Sequence, residues 1–253
     1  MNLTGQRVVV IGGTSGIGLA VARTAAEDGA SVVVASRTKT RIDAALESLP
    51  AGVRGEQVDV SDEYDVREFF ARVGAFDHLA YTAGDHIRIR PITEIPLDAA
   101  KAFFGTMYWG AFTAAKHAVG VIRPSGSITF TSGIIAVRPA PGTSAQSGVT
   151  AAVESLSRAL AVELGPIRVN TVRLGPVPTG GVDLPNQEVM YKALRRQLLT
   201  RELGKPAQAA EAYLYLMRSG FATGTVMPVD GGYELAASPF LLAEARAAAG
   251  GTG

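Results

Sequence analysis

The chain has 253 residues, 47% hydrophobic and 19% charged, with 24 Lys and Arg against 23 Asp and Glu and a formal net charge of +1. This balance supplies apolar side chains for a core and leaves no polybasic run, which argues against nucleic acid or an anionic membrane as a partner. The absence of cysteine removes disulfides, thiolate metal ligands and a Cys nucleophile; no metal site is expected, and a cytoplasmic setting is. The opening MNLTGQRVVVIGG lacks the basic and long apolar regions of a signal peptide. No apolar run reaches the roughly 18 residues of a membrane span, so a soluble protein is expected.

Short Val- and Ile-rich runs alternate with segments of helical period, the pattern of repeated βαβ units. The order predicted is strand 7–11, helix 17–29, strand 31–35, helix 39–49, strand 54–58, helix 62–72, strand 77–81, helix 97–119 and strand 126–131. It continues with helix 144–164, strand 167–172, helix 206–218 and strand 225–229. The expected fold is therefore α/β: a single Rossmann-type domain over residues 1–253, a doubly wound sheet of seven mainly parallel strands with helices on both faces. Between Pro176 and Lys205, four Gly and Pro residues precede an amphipathic piece at Val189–Leu199. That composition reads as a lid over a site. A tail from 233, with a short helix in FLLAEARAAAGG, is expected to pack on the body or on a neighbouring subunit.

RVVVIGGTSGIGLAVA places Gly12, Gly16 and Gly18 between the first strand and first helix. Glycines there allow a tight turn and close approach of a pyrophosphate, and the helix start offers free N–H groups and a positive dipole end. The second strand ends at Ser36 and Arg37. An acid there would accept bonds from a free ribose 2′-OH, whereas an Arg pairs with a 2′-phosphate, so NADP(H) is the expected cofactor. Lys39 and Arg41 could add to the same field.

Motifs along nearly the whole chain carry a family resemblance. GGTSGIG is followed by DVSD at 59–62, TAG at 82–84, TFTSG at 129–133, RVNTVRLGPVPT at 168–179 and GTVMPVDGGYEL near the end. Together they resemble the short-chain dehydrogenase/reductases. The resemblance implies a nicotinamide-dependent oxidoreductase acting on a carbonyl or alcohol, built as a homotetramer, with a dimer as the smaller alternative. It also implies that Gly12, Ser15, Gly16, Ile17 and Gly18 hold the pyrophosphate and that Asp59 and Val60 lie beside adenine. Ala83 and Gly84 would then follow the ribose. Gly175, Val177 and Thr179 would take the nicotinamide carboxamide, although Leu174 stands where the family has Pro.

The family's chemistry uses Asn, Ser, Tyr and Lys. Ser132 matches the Ser and is the candidate catalytic residue, its hydroxyl available to a substrate oxygen. Met107 stands at the Asn position. The Tyr and Lys positions fall on Ala145 and Val149 in one register and on Gln146 and Thr150 in the other, and no Tyr or Lys occurs between His117 and Met190. Losing a positioned general acid costs roughly 10²–10⁴ in rate. His86 and Tyr191 are weaker candidate donors, and Tyr81, at the end of the fourth strand, suits packing. Tyr108 and Trp109 suit packing or a subunit face, and Arg88 and Arg138 lie in loops near the site, Arg138 being placed to bind an anionic substrate or to cover the site. The alternative is a regulator or partner subunit that binds the dinucleotide without catalysis.

Overall fold

The computed structural model describes residues 2–84, 87–179, 182–183 and 187–236. Among the described residues nine strands run in the order β1 (Arg7–Ile11), β2 (Ser31–Ser36), β3 (Arg54–Gln57), β4 (Phe76–Tyr81), β5 (Ile87–Arg88), β6 (Ile122–Gly133), β7 (Arg168–Leu174), β8 (Val182–Asp183) and β9 (Val226–Val229). Eight α-helices alternate with them: α1 (Gly16–Glu27), α2 (Lys39–Ser48), α3 (Glu63–Val73), α4 (Leu97–Phe104), α5 (Gly110–Ala118), α6 (Ser144–Glu163), α7 (Gln187–Gln197) and α8 (Pro206–Arg218). Seven strands form one parallel sheet in the order β3-β2-β1-β4-β6-β7-β9.

Alternation along β1 explains the two layers. Val9 and Ile11 face one core with Phe69, Phe70, Val153 and Leu156. Val8 and Val10 face the other with Val21, Ala22, Ala210 and Leu214. Each fully buried Leu, Val or Phe contributes about 1.5–3 kcal/mol, so both faces of the sheet must be covered for the chain to fold. Helix α6 presents Val149, Val153, Leu156 and Leu160 to the interior, the spacing of one helical stripe. The strand order reverses between β1 and β4, and a crevice opens there at the carboxyl ends of the strands.

The predicted helix 97–119 is not continuous. A π-helical turn, Gly105–Trp109, separates α4 from α5. The Tyr81 hydroxyl donates to the Thr106 carbonyl at 2.6 Å, supporting the wider turn from outside the helix. A Cβ on Gly110 would collide with that hydroxyl and lie 3.0 Å from Val60 Cγ2. Tyr81 is therefore a buried packing residue that braces the turn. Tyr108 and Trp109 pack edge to face at 5.0 Å, with Trp109 exposed.

Within the 176–205 segment, α7 covers the amphipathic piece, and β8 pairs in parallel with β5. The feet of the segment are clasped: Gly204 N–H donates to the Pro176 carbonyl at 3.0 Å. The tail helix expected in FLLAEARAAAGG lies outside the described residues, as does His86.

Candidate active site

At the end of β1 the chain turns through Gly12 with φ +86°, where a Cβ would sit 2.6 Å from Ala83 N. Only glycine fits that conformation and that approach. Thr82 ties the turn to β4, both its N–H (2.8 Å) and its hydroxyl (3.0 Å) donating to the Ile11 carbonyl. Ser15 is the N-cap of α1, and its side chain makes no capping bond. The first N–H groups of the helix are therefore left to an anion, the ordinary role of this turn in dinucleotide folds.

A cavity of about 230 Å³ opens beside this turn. Of the residues expected to hold the cofactor, Gly12, Ser15, Ser36, Arg37, Asp59, Val60, Ala83 and Gly84 line it. Arg41 joins Arg37 in the lining, whereas Lys39 is bonded to Asp43 at 2.9 Å and does not. Thr14, Thr38, Thr82 and Thr106 also line the cavity; Thr14 and Thr82 fall within GGTSGIG and TAG, whereas Thr38 and Thr106 gave no distinct sequence signal. Neither Arg37 nor Arg41 is ion-paired among the described residues. Asp59 is the one acid in the lining; bonds from the Ser61 hydroxyl and N–H hold its carboxyl below the usual range, with a smaller pull from Arg37. The donor set fits a nucleotide carrying phosphate at the β2 end.

Gly16, Ile17, Gly18, Gly175, Val177, Thr179 and Ser132 stand outside that cavity lining. Thr179 lies over the glycine turn, 3.0 Å from where a Gly16 Cβ would be. Ile17 packs against the core on the α1 side. A Cβ at Gly18 would strike the Gly12 carbonyl and the Thr82 hydroxyl, and one at Gly175 would strike the Asp230 backbone, so both glycines answer a packing demand. Val177 packs where a Gly204 Cβ would be, 2.7 Å away. Met107 sits 3.7 Å from a Cβ built on Gly84.

Ser132 is the penultimate residue of β6 and is buried. Its hydroxyl donates to Glu154 Oε1 at 2.8 Å, with the Thr150 carbonyl farther off at 3.2 Å. It was expected to offer its proton to a substrate oxygen; here a buried carboxylate takes it, because a charged acceptor outcompetes a carbonyl. Glu154 in turn is held by Arg173, Nε to Oε1 at 2.7 Å and Nη2 to Oε2 at 2.8 Å. Arg173 reaches on to Glu234 at 3.0 Å. The bond to Glu154, opposed by burial, leads the effects that raise the Arg173 guanidinium above its ordinary value. Sheet register places Arg173 beside Ser132, which makes the pairing a consequence of strand alignment.

The face of α6 that meets Ser132 thus reads Thr150 and Glu154, with Gln146 one turn earlier. Thr150, from the register with Gln146, meets Ser132, whereas Val149 lies in the apolar core. The Thr150 hydroxyl is turned back to the Gln146 carbonyl at 2.8 Å. Arg138 is occupied elsewhere. Arg138 donates to the Tyr233 carbonyl, stacks 4.1 Å over the Tyr233 ring and reaches Gln197 at 3.5 Å. Tyr191 accepts from Gln187 on its own helix at 2.9 Å. The Arg88 backbone pairs with β8. Among the described residues no His, Asp and Glu cluster is arranged to hold a metal, and no helix is long and apolar enough to cross a membrane.

The family profile described as Enoyl-(Acyl carrier protein) reductase matches residues 11–234. The chain belongs to the short-chain dehydrogenase/reductase family. It is 37% identical to "Short-chain dehydrogenase/reductase ATR9" of Stachybotrys chlorohalonatus, over 91% of this chain and 97% of that one. Among solved structures, the "MalC Reductase/Diels-Alderase" of Malbranchea aurantiaca superposes with a TM-score of 0.85 at 32% identity, covering 92% of this chain and 98% of that one. A small-chain dehydrogenase in complex with NADPH matches with a TM-score of 0.76 at 32% identity, over 91% and 99%. This short-chain dehydrogenase/reductase is an oxidoreductase of that type, with the family's seven-stranded parallel sheet.

Proposed function

We propose that the chain is an NADP(H)-dependent reductase that works without the family's Tyr and Lys pair. The observation that carries the cofactor choice is the end of β2, where Ser36, Arg37 and Arg41 line the nucleotide cavity and no acid stands at the ribose position. Two guanidinium groups there favour a 2′-phosphate. The NADPH complex of a relative at 32% identity is consistent with the same choice. When bound, the dinucleotide would supply a hydride to the substrate carbon. The glycine turn and the first turn of α1 would hold its pyrophosphate; Asp59 and Val60 would flank adenine; Gly175, Val177 and Thr179 would hold the nicotinamide end.

Ser132 is the substrate-side residue in this reading, and the 176–205 segment, whose feet are joined by the Gly204 N–H to Pro176 carbonyl bond, is the lid. The exposed aromatics Trp109 and Phe112 favour a homotetramer built through α4, α5 and α6. The experiment is a spectrophotometric assay of NADPH oxidation across paired carbonyl and C=N compounds. Turnover with any of them supports a reductase. NADPH binding with no turnover across the panel would favour a dinucleotide-binding regulator instead.

A further inference from the structure

Ser132 has one proton, and it is committed. Glu154 takes it at 2.8 Å, and Arg173 fixes the Glu154 carboxylate from the far side through two bonds. What Ser132 Oγ has left to offer a substrate is therefore lone-pair density. A ketone or thioester oxygen, which only accepts hydrogen bonds, finds no partner in such a group. A substrate that carries its own hydrogen does.

Proton supply points the same way. Hydride addition to a carbonyl creates an alkoxide that needs a proton as it forms. The site-facing stripe of α6 offers Gln146, Thr150 and Glu154: an amide, a hydroxyl bonded to the helix backbone, and a carboxylate committed to Ser132 and Arg173. None is placed to deliver one. Arg138, the cation of the neighbouring loop, is engaged by Tyr233 and Gln197.

We propose that the electrophile reduced here is a protonated C=N group, an iminium, whose N–H donates to Ser132 Oγ, and that Glu154 is the positioning residue that makes Ser132 an acceptor. This rests on the NADP(H)-reductase reading and names its substrate class. The step balances without an added proton. Hydride from NADPH forms the new C–H bond, the C=N π pair moves onto nitrogen and cancels its charge, and the N–H hydrogen stays in place. A secondary iminium and NADPH give a secondary amine and NADP⁺. The absence of the family's Tyr and Lys is then no defect, since this reduction consumes no proton.

The test uses the full chain with NADPH and a matched pair of substrates on one bicyclic skeleton, 3,4-dihydroisoquinoline against 1-tetralone. NADPH affinity is measured separately by calorimetry. The imine should be reduced at least tenfold faster in kcat/KM than its ketone, with a rate that follows the protonated imine fraction as pH is varied. Ser132→Ala should lower imine kcat/KM about tenfold or more with NADPH affinity unchanged. Glu154→Gln, whose amide can donate to Ser132 and free its proton, should narrow the imine-to-ketone ratio, a change that mere loss of packing would not produce. If that variant does not fold, the wild-type ratio and the Ser132→Ala result decide. A second readout is calorimetric: with NADP⁺ bound, the product amine should bind more tightly than its alcohol counterpart. Ketones reduced as well as imines, or no imine reduced although NADPH binds, would overturn the inference; failure of NADPH to bind would overturn the reductase reading beneath it.

Discussion

Glu154 and Arg173 meet as a bidentate pair, 2.7 and 2.8 Å, both largely buried between α6 and β7. Breaking one side leaves an uncompensated charge in a low-dielectric site, at a cost of about 3–5 kcal/mol. Arg173→Met, which strands Glu154, should lower the urea midpoint strongly, and Glu154→Leu less so, because Arg173 keeps Glu234 at 3.0 Å. The double variant should recover a large part of the loss, because neither charge is then stranded. Equal additive losses would mean that the pair is not coupled.

The lower end of the sheet carries a pH dependence. Burial is the main cause that pushes His78 down to about 4, with the Arg168 charge adding and Asp77 opposing; its ring bonds Ser127 at 2.8 Å and Gln6 at 2.6 Å. Protonation thus favours the unfolded chain, whose His titrates near 6.5. Stability present above pH 6.5 is lost as pH falls toward 4, by roughly 3 kcal/mol. Urea unfolding of His78→Gln between pH 7 and 4 should show a shallower decline than wild type. Parallel curves would count against the assignment.

The π-helical turn makes a non-additive pair. Gly110→Ala should cost about 1–3 kcal/mol, since the new methyl overlaps the Tyr81 hydroxyl. Adding Tyr81→Phe removes the overlapping atom along with its bond to Thr106. The double variant is expected to melt above Gly110→Ala alone. A double variant that melts lower would place the strain elsewhere.

Much of this was legible in sequence, because hydrophobic period and glycine position are local signals. Strand 7–11 and helix 206–218 were predicted to the residue, and Ser36 and Arg37 were placed beside the cavity by their position at the end of a strand. The π-helical turn was not legible, since it depends on Tyr81 reaching Thr106 from another strand. Glu154, Arg173 and Glu234 were missed for a related reason. Each is an ordinary charged residue in its own segment, and only the β6–β7 register and the packing of α6 bring them to Ser132. The available hint was Glu154 beside Val153 on an otherwise apolar stripe, together with an Arg one residue before the end of a buried strand.

Assembly gives a further check. Trp109 and Phe112 expose apolar area on α5 and the turn before it. Light scattering should report a tetramer, and Trp109→Glu should shift the mass downward with a native far-UV spectrum. A monomeric wild-type protein would remove the proposed interface.

Central to the account is that Arg37 and Arg41 select a 2′-phosphorylated dinucleotide, and calorimetric titration of the purified protein with NADPH and NADH tests it most directly. NADPH should bind at least tenfold more tightly than NADH, with Arg37→Ala reducing NADPH affinity by about tenfold and leaving NADH nearly unaffected, the scale of one charge-assisted contact. Equal affinities, or an Arg37→Ala variant that discriminates as well as wild type, would contradict it.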